Sequence, residues 1–280
     1  MIGGVLPALY GLDWPLESPA SMVNNFGGNN RRRPFLGTVF ETEEAVRAAE
    51  AGEVLFTHDP ERNASKLPSP LGAWIGVDHG DGLISIYGRL SKDRDVPLPR
   101  RVSKGERIAA PGQSGWSGHR GFYFSLFDRK ERRWINPSMI ITPLPDSRQP
   151  NILSVELKNA NGQTISPGQT SSIRQGRYTL LVNAFDTRFS ERENPLAPYR
   201  ILCFVNGIET AGLSFETYSA RDGVLMVYRN GLTPVNKIYA PGPAFEVGEL
   251  WLTRGLASLE VIAQDVAGNS RSAAFRLQVE

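Results

Sequence analysis

The run Ala73-Trp74-Ile75-Gly76-Val77-Asp78-His79-Gly80-Asp81-Gly82-Leu83-Ile84-Ser85-Ile86-Tyr87 decides how the first half of this chain is read. Two apolar stretches, 73–77 and 83–87, flank His79-Gly80-Asp81-Gly82. An Asp-Gly pair between such stretches predicts a type I′ hairpin, because both central residues of that turn need positive φ. The β-branched and aromatic side chains suit the pleated surface on either side. The segment therefore reads as two antiparallel strands.

Working outward, 122–127 (Phe-Tyr-Phe-Ser-Leu-Phe) and 52–56 read as further strands. Residues 42–51 carry helix formers and an N-cap at Thr42, yet Ala45-Val46 also reads as short strand, so both alternatives stay open. Three prolines within 143–150 mark an extended linker. Beyond it, turn signals recur about every ten residues: Asn159-Ala160-Asn161-Gly162, Asn206-Gly207, Asp222-Gly223, Asn230-Gly231 and Asp265-Val266-Ala267-Gly268-Asn269. That spacing predicts a β-sandwich of immunoglobulin type. The expected organisation is a first β domain over 1–142, a linker over 143–150 and a sandwich over 151–280.

At 280 residues the chain is long enough for two full cores. Its 31 basic and 29 acidic side chains leave a formal charge of +2, which gives no electrostatic footprint for nucleic acid. No run of about 18 apolar residues offers a membrane span. Residues 1–10 are mildly apolar without a positive n-region, compatible with a trimmed signal peptide. The single cysteine, Cys203, lies in an alternating strand and is expected to be a buried, inert thiol.

Six phrases of the first half occur in one order. They are Trp14-Pro15-Leu16 with Asn25-Phe26-Gly27; Val46, Ala48-Ala49, Gly52 and Val54; His79-Gly80 through Tyr87-Gly88-Arg89-Leu90; Val102 to Ala109; Gly112-Gln113-Ser114-Gly115-Trp116-Ser117; and Trp134-Ile135-Asn136-Pro137. Together they resemble the LytM/lysostaphin-type peptidoglycan metallopeptidases over roughly residues 12–141. The resemblance implies an all-β chain, with a LytM-like antiparallel domain of the duplicated-hybrid-motif type and an appended Ig-like module. It also implies an extracytoplasmic, periplasmic-type location.

That family's chemistry needs zinc with three protein ligands and one open position for water. Its ligand pattern H-x-x-x-D falls on Phe35 and Val39, and its H-x-H on Gly121 and Tyr123. Its substrate-facing histidine falls on Arg89, and a closing glutamate on Ser125. No catalytic residue and no metal ligand are expected, and the zinc cofactor is expected to be lost. The remaining histidines are read as structural or solvated: His79 in the hairpin, His119 at a loop tip and His58 in a turn. Phe35 and Val39 are read as a plug in the emptied metal cavity. The alternative is a groove whose Arg89, Trp116 and Tyr123 contact a ligand bearing carboxylates. Arg31-Arg32-Arg33 reads as a solvated loop, and Asp265 with Asn269 as a turn that needs no calcium.

The function implied is a non-catalytic envelope protein that binds a peptidoglycan stem peptide or regulates a cell-wall hydrolase. The rivals are an active zinc endopeptidase that cuts peptidoglycan cross-links and a structural or adhesion module.

Overall fold

The computed structural model describes residues 11–18, 21–30, 33–60, 68–92, 99–170, 172–188 and 194–280. Residues 1–10, and Arg31 and Arg32 of the basic triplet, lie outside them. The chain is 54% strand and 2% helical, all-β as expected. It divides into two compact units, Met1–Val23 with Leu36–Leu144 and Asn24–Phe35 with Pro145–Glu280. The expected boundary was a single cut near 143–150. The chain instead contributes residues 24–35 to the second unit before returning to the first.

The main strands of the first unit, apart from several of two to four residues, are β1 (Thr38–Glu41), β2 (Gly52–His58), β3 (Ala73–Asp78), β4 (Leu83–Leu90), β5 (Gly121–Asp128) and β6 (Arg133–Ile135). They run antiparallel in the order β2-β3-β4-β5. The far edge of β5 pairs first with β1 and then with β6. At the β3–β4 hairpin Asp81 and Gly82 have φ of 50° and 91°, the positive values that the Asp-Gly pair predicts. One face of the sheet packs Ile75, Val77, Tyr87, Phe124 and Leu126 into the core. Trp14 stands edge-on to Phe40 at 5.5 Å and to Phe124 at 6.2 Å, while its Nε1–H donates to Thr142 O. The opposite face carries Tyr123 and Ser125.

Residues 42–51 form no helix. Val46, Ala48 and Ala49 are buried, and only Val46–Arg47 is strand. The N–H groups of Arg47, Ala48 and Ala49 go to Pro15 O, Glu106 O and Tyr87 Oη, so long-range partners take the donors that a helix would use.

The second unit has two sheets. Its principal strands are β7 (Asn151–Asn159), β8 (Ser172–Ile173), β9 (Gly176–Phe185), β10 (Arg200–Val205), β11 (Ile208–Arg221), β12 (Val224–Tyr228), β13 (Leu232–Pro234), β14 (Phe245–Leu252), β15 (Gly255–Gln264) and β16 (Ser270–Val279), beside the two-residue pair Asn29–Asn30 with Arg33–Pro34. One sheet runs β7-β9-β14, with the short strand Thr164–Ile165 on the outer edge of β7. The other runs β8-β16-β15-β10-β11-β12-β13, antiparallel except for the parallel β8–β16 pair. Phe215 on β11 meets Phe245 on β14 at 5.4 Å, so the two sheets share a core. The predicted turns fall where expected, with positive φ at Asn206, Asp222 and Asn230 and at the glycines that follow them. Cys203 is fully buried on β10, and burial pushes its thiol up to about 12, an inert group.

Residues 24–35 join this unit through specific groups. Phe26 is buried against Tyr218, with ring centroids 4.8 Å apart, and Tyr239 Oη donates to Gly27 O. The Asn25 carboxamide donates to Ala197 O and accepts from Ala197 N–H, both at 2.8 Å, as a paired strand residue would.

Candidate functional site

The β1–β5 register sets Tyr123 directly opposite Val39 and Gly121 opposite Glu41. The β4–β5 register sets Tyr123 opposite Gly88, beside Arg89, and Ser125 opposite Ile86. Val39, Arg89, Gly121, Tyr123 and Ser125 therefore come together, although they are scattered along the sequence. Phe35 belongs to the second unit, where its backbone pairs with Gly27 and Gly28.

The interior here is packed. Val39 is 4%, Tyr123 8% and Ser125 1% exposed. A Cβ at Gly37 would run into Phe124 O and would also crowd the Tyr123 ring, so glycine is what lets that ring lie across β1. A Cβ at Gly121 would run into Phe40 O, so this backbone admits no larger side chain there without shifting. Burial pushes the Tyr123 phenol up to about 12. The Ser125 hydroxyl and the Arg89 cation beside it draw it partly back. Among the described residues neither Ser125 Oγ nor Oγ1 of the buried Thr38 has a hydrogen-bond partner. Thr38 was not singled out from sequence, where no motif marks it.

Arg89 is the charged member. It is half-buried, its Nε finds no partner among the described residues, and burial lowers its pKa from the ordinary guanidinium value. Its φ is +62°, a left-handed conformation that costs a bulky residue about 1 kcal/mol or more. Its N–H donates to Leu71 O at 2.6 Å, which holds it there. Trp116 is 69% exposed on its loop. Beneath it Ser114 accepts from Ala73 N–H and donates to Leu90 O, which ties that loop to the ends of β3 and β4.

None of these positions supplies an imidazole, carboxylate or thiolate. Val39 and Gly121 have no donor atom, and a guanidinium opposes a cation. The residues present do not fit a zinc ligand set.

His79 and His58 stand apart from this cluster, while His119 lies at its edge, two residues before Gly121. His79 Nδ1 donates to Ala51 O at 2.9 Å, and Nε2 faces Ser85 Oγ at 2.7 Å. Ser85 lies 3.0 Å from Tyr87 Oη, so the ring anchors the hairpin through a buried polar chain, and burial lowers its pKa. His119 is exposed, 3.9 Å from Glu41. His58 ends strand β2 beside Trp74, at 6.1 Å between rings, where a turn was expected.

A model for peptidase family M23 matches residues 36–137. Residues 36–137 are an M23 peptidase domain. A separate family model matches residues 149–280. Among solved structures, the chain is similar to the catalytic domain of EnpA, a prophage-encoded M23 protein from Enterococcus faecalis. The two are 20% identical over 42% of this chain and 88% of that one, with a TM-score of 0.36. A peptidase M23 protein from Pseudomonas aeruginosa is 24% identical over 48% of this chain and 52% of that one, at a TM-score of 0.36. A SpoIIQ–SpoIIIAH pore-forming complex gives 18% identity, 47% and 90% coverage and a TM-score of 0.38. No curated protein matches. The matched residues thus contain β1 to β6 and all five positions of the cluster, while Phe35 lies just outside them.

In the second unit, Asp146, Asp186 and Asp265 bring carboxylate oxygens within 4.8 Å of one another, the one such convergence of acidic, histidine or cysteine side chains among the described residues. Their oxygens already take protein donors. Asp265 accepts from Asn269 N and Nδ2, as expected of the turn, Asp186 from Thr187 N, and Asp146 from Arg148 N. Burial and the two neighbouring carboxylates push Asp186 up to about 7. Three segments far apart in sequence build this knot, so only the Asp265–Asn269 part was visible beforehand.

Proposed function

We propose that this chain is a non-catalytic M23-type envelope protein that binds peptidoglycan or regulates a cell-wall hydrolase. The observation that carries the reading is the cluster in which Val39, Gly121, Tyr123, Ser125 and Arg89 take the positions that the family resemblance assigns to catalysis. Those residues lack zinc donors and are packed together. The location that follows is extracytoplasmic. No described helix is long and apolar enough to cross a membrane.

Arg89 is the anchor of the reading. Among the described residues its guanidinium has no ion-pair partner, and it sits beside a phenol that stays neutral. A stem-peptide carboxylate would supply the missing charge through a bidentate contact, with exposed Trp116 as an apolar neighbour. Tyr123 serves as the wall behind Arg89 and not as a stacking face. The second unit reads as an immunoglobulin-type spacer. Its sheet orders, β7-β9-β14 and β16-β15-β10-β11 with the parallel β8–β16 pair, support that reading.

Cosedimentation with purified sacculi tests the proposal. A charge-assisted contact is worth roughly 1.5–3 kcal/mol, so Arg89→Ala is expected to weaken binding roughly ten- to a hundredfold. Unchanged binding by that variant, or none by the parent chain, overturns the assignment.

A further inference from the structure

The second unit contains a cavity of about 680 Å³ between the 24–29 segment, β7 with β9, and the 195–197 and 242–245 strips. We propose that it is a saccharide site that takes the uncharged, N-acetylated sugar units of a glycan strand. The proposal deepens the peptidoglycan reading above and rests on it.

The first argument is charge. None of the described residues that line the cavity is acidic or basic. A stem peptide brings carboxylates, which need a cation or several N–H donors when partly desolvated. The described lining of this cavity suits a neutral ligand.

The second argument is the supply of hydrogen bonds. Asn24 and Asn183 both line the cavity, half-buried, and among the described residues their carboxamides have no protein partner. A free carboxamide offers two donors and an acceptor at one point. That set matches an acetamido group, itself a carboxamide, and vicinal hydroxyls, each both donor and acceptor. The same lining carries apolar side chains: Phe185, the buried Phe245 and Leu153, which is 64% exposed. An apolar bed with a few placed polar groups is the usual make-up of a small-ligand site, and the volume is in the usual range.

The third argument is preorganisation. The Asn25 carboxamide clamps Ala197, and Leu196 exchanges two backbone hydrogen bonds with Asp186, so one wall is fixed from both sides. On the other wall Asn29 Nδ2 donates to Gly242 O. A site whose walls are already tied costs little ordering when a ligand enters.

Calorimetric titration of the full chain with a tetramer of N-acetylglucosamine tests this, run beside sacculus cosedimentation. The tetramer is expected to bind, and Asn183→Ala and Asn24→Ala each to weaken it at least tenfold. Neither side chain makes an internal hydrogen bond, so the fold, checked by near-ultraviolet dichroism, should persist. Leu153→Glu, which puts a charge on the exposed lip, should weaken binding similarly. If sacculi bind but the tetramer does not, or if the variants leave its affinity unchanged, the saccharide site is wrong and the peptidoglycan reading stands. If neither sacculi nor tetramer binds, both are wrong.

Discussion

Tyr123 stands directly across the β1–β5 ladder from Val39, and both are buried. On the function proposed above, the pair fills with an aromatic ring and an isopropyl group the place where the family resemblance puts two metal ligands. Tyr123→Ala should therefore cost about 3–5 kcal/mol, as for a large buried aromatic, read by urea denaturation. Tyr123→Phe should cost little, because no well-formed hydrogen bond to the phenol is lost. Val39→Asp should destabilise by about 3 kcal/mol or more by burying an unpaired carboxylate. A stable Val39→Asp protein would mean that an open cavity waits beneath.

Arg89 separates backbone from side-chain effects. Its positive φ makes Arg89→Gly the variant that relieves backbone strain, while Arg89→Ala keeps it. The glycine variant should be the more stable of the two by about 1 kcal/mol, and both should bind sacculi weakly. Equal stability would show that the left-handed conformation is not strained.

The 24–35 excursion predicts that a fragment beginning at residue 145 is weaker than the same strands within the full chain. It lacks Phe26 against Tyr218, the Asn25 clamp on Ala197 and the Gly27 acceptor for Tyr239. Phe26→Ala in the full chain should cost about 3–5 kcal/mol and act on the transition of the second unit. A fragment that melts with the full chain's second unit would contradict this.

How much of this was legible beforehand follows from the range of the interactions. The hairpins were visible because an Asp-Gly or Asn-Gly pair fixes its own turn, and Asp81, Asn206, Asp222 and Asn230 all take the positive φ expected. The cluster was visible only through ordered motifs, since strand register cannot be computed from one strand. Residues 42–51 stayed ambiguous because their local helix preference competes with partners at Pro15, Tyr87 and Glu106. The attachment of residues 24–35 was not visible, since Asn25 and Ala197 are 172 positions apart and no local signal marks either. The expected linker carried a similar surprise. Pro145 O, Asp146 O and Pro150 O accept hydrogen bonds from Arg188, Asn269 and Arg271, so three carbonyls of the Pro-rich stretch are fastened down.

Asp186 and His79 give the chain opposite pH responses. Asp186 titrates near 7 when folded and near 4 when unfolded, so the folded state holds the extra proton. Its contribution is complete below pH 4 and lost as pH rises through 7. Asp186→Asn keeps the acceptor for Thr187 N–H and should stabilise the chain at pH 8 by on the order of 2–4 kcal/mol, but hardly at pH 4. His79 has a lowered pKa, so the unfolded chain takes the proton first. The cost of His79→Ala should be largest above pH 6.5 and shrink as pH falls below it. Thermal melts of both variants from pH 4 to 8 check the two signs.

The measurement that bears most directly on the central claim is the response of the purified chain to zinc. A metal bound only by the native state would stabilise it by roughly 2.7 kcal/mol at a hundredfold excess over Kd, several degrees in a thermal melt. Without donors at Val39 and Gly121, and with a guanidinium at Arg89, the account predicts no stoichiometric zinc by elemental analysis and a midpoint that zinc leaves unchanged. One equivalent of tightly held zinc, or a midpoint that climbs with added zinc and falls back with chelator, would contradict it.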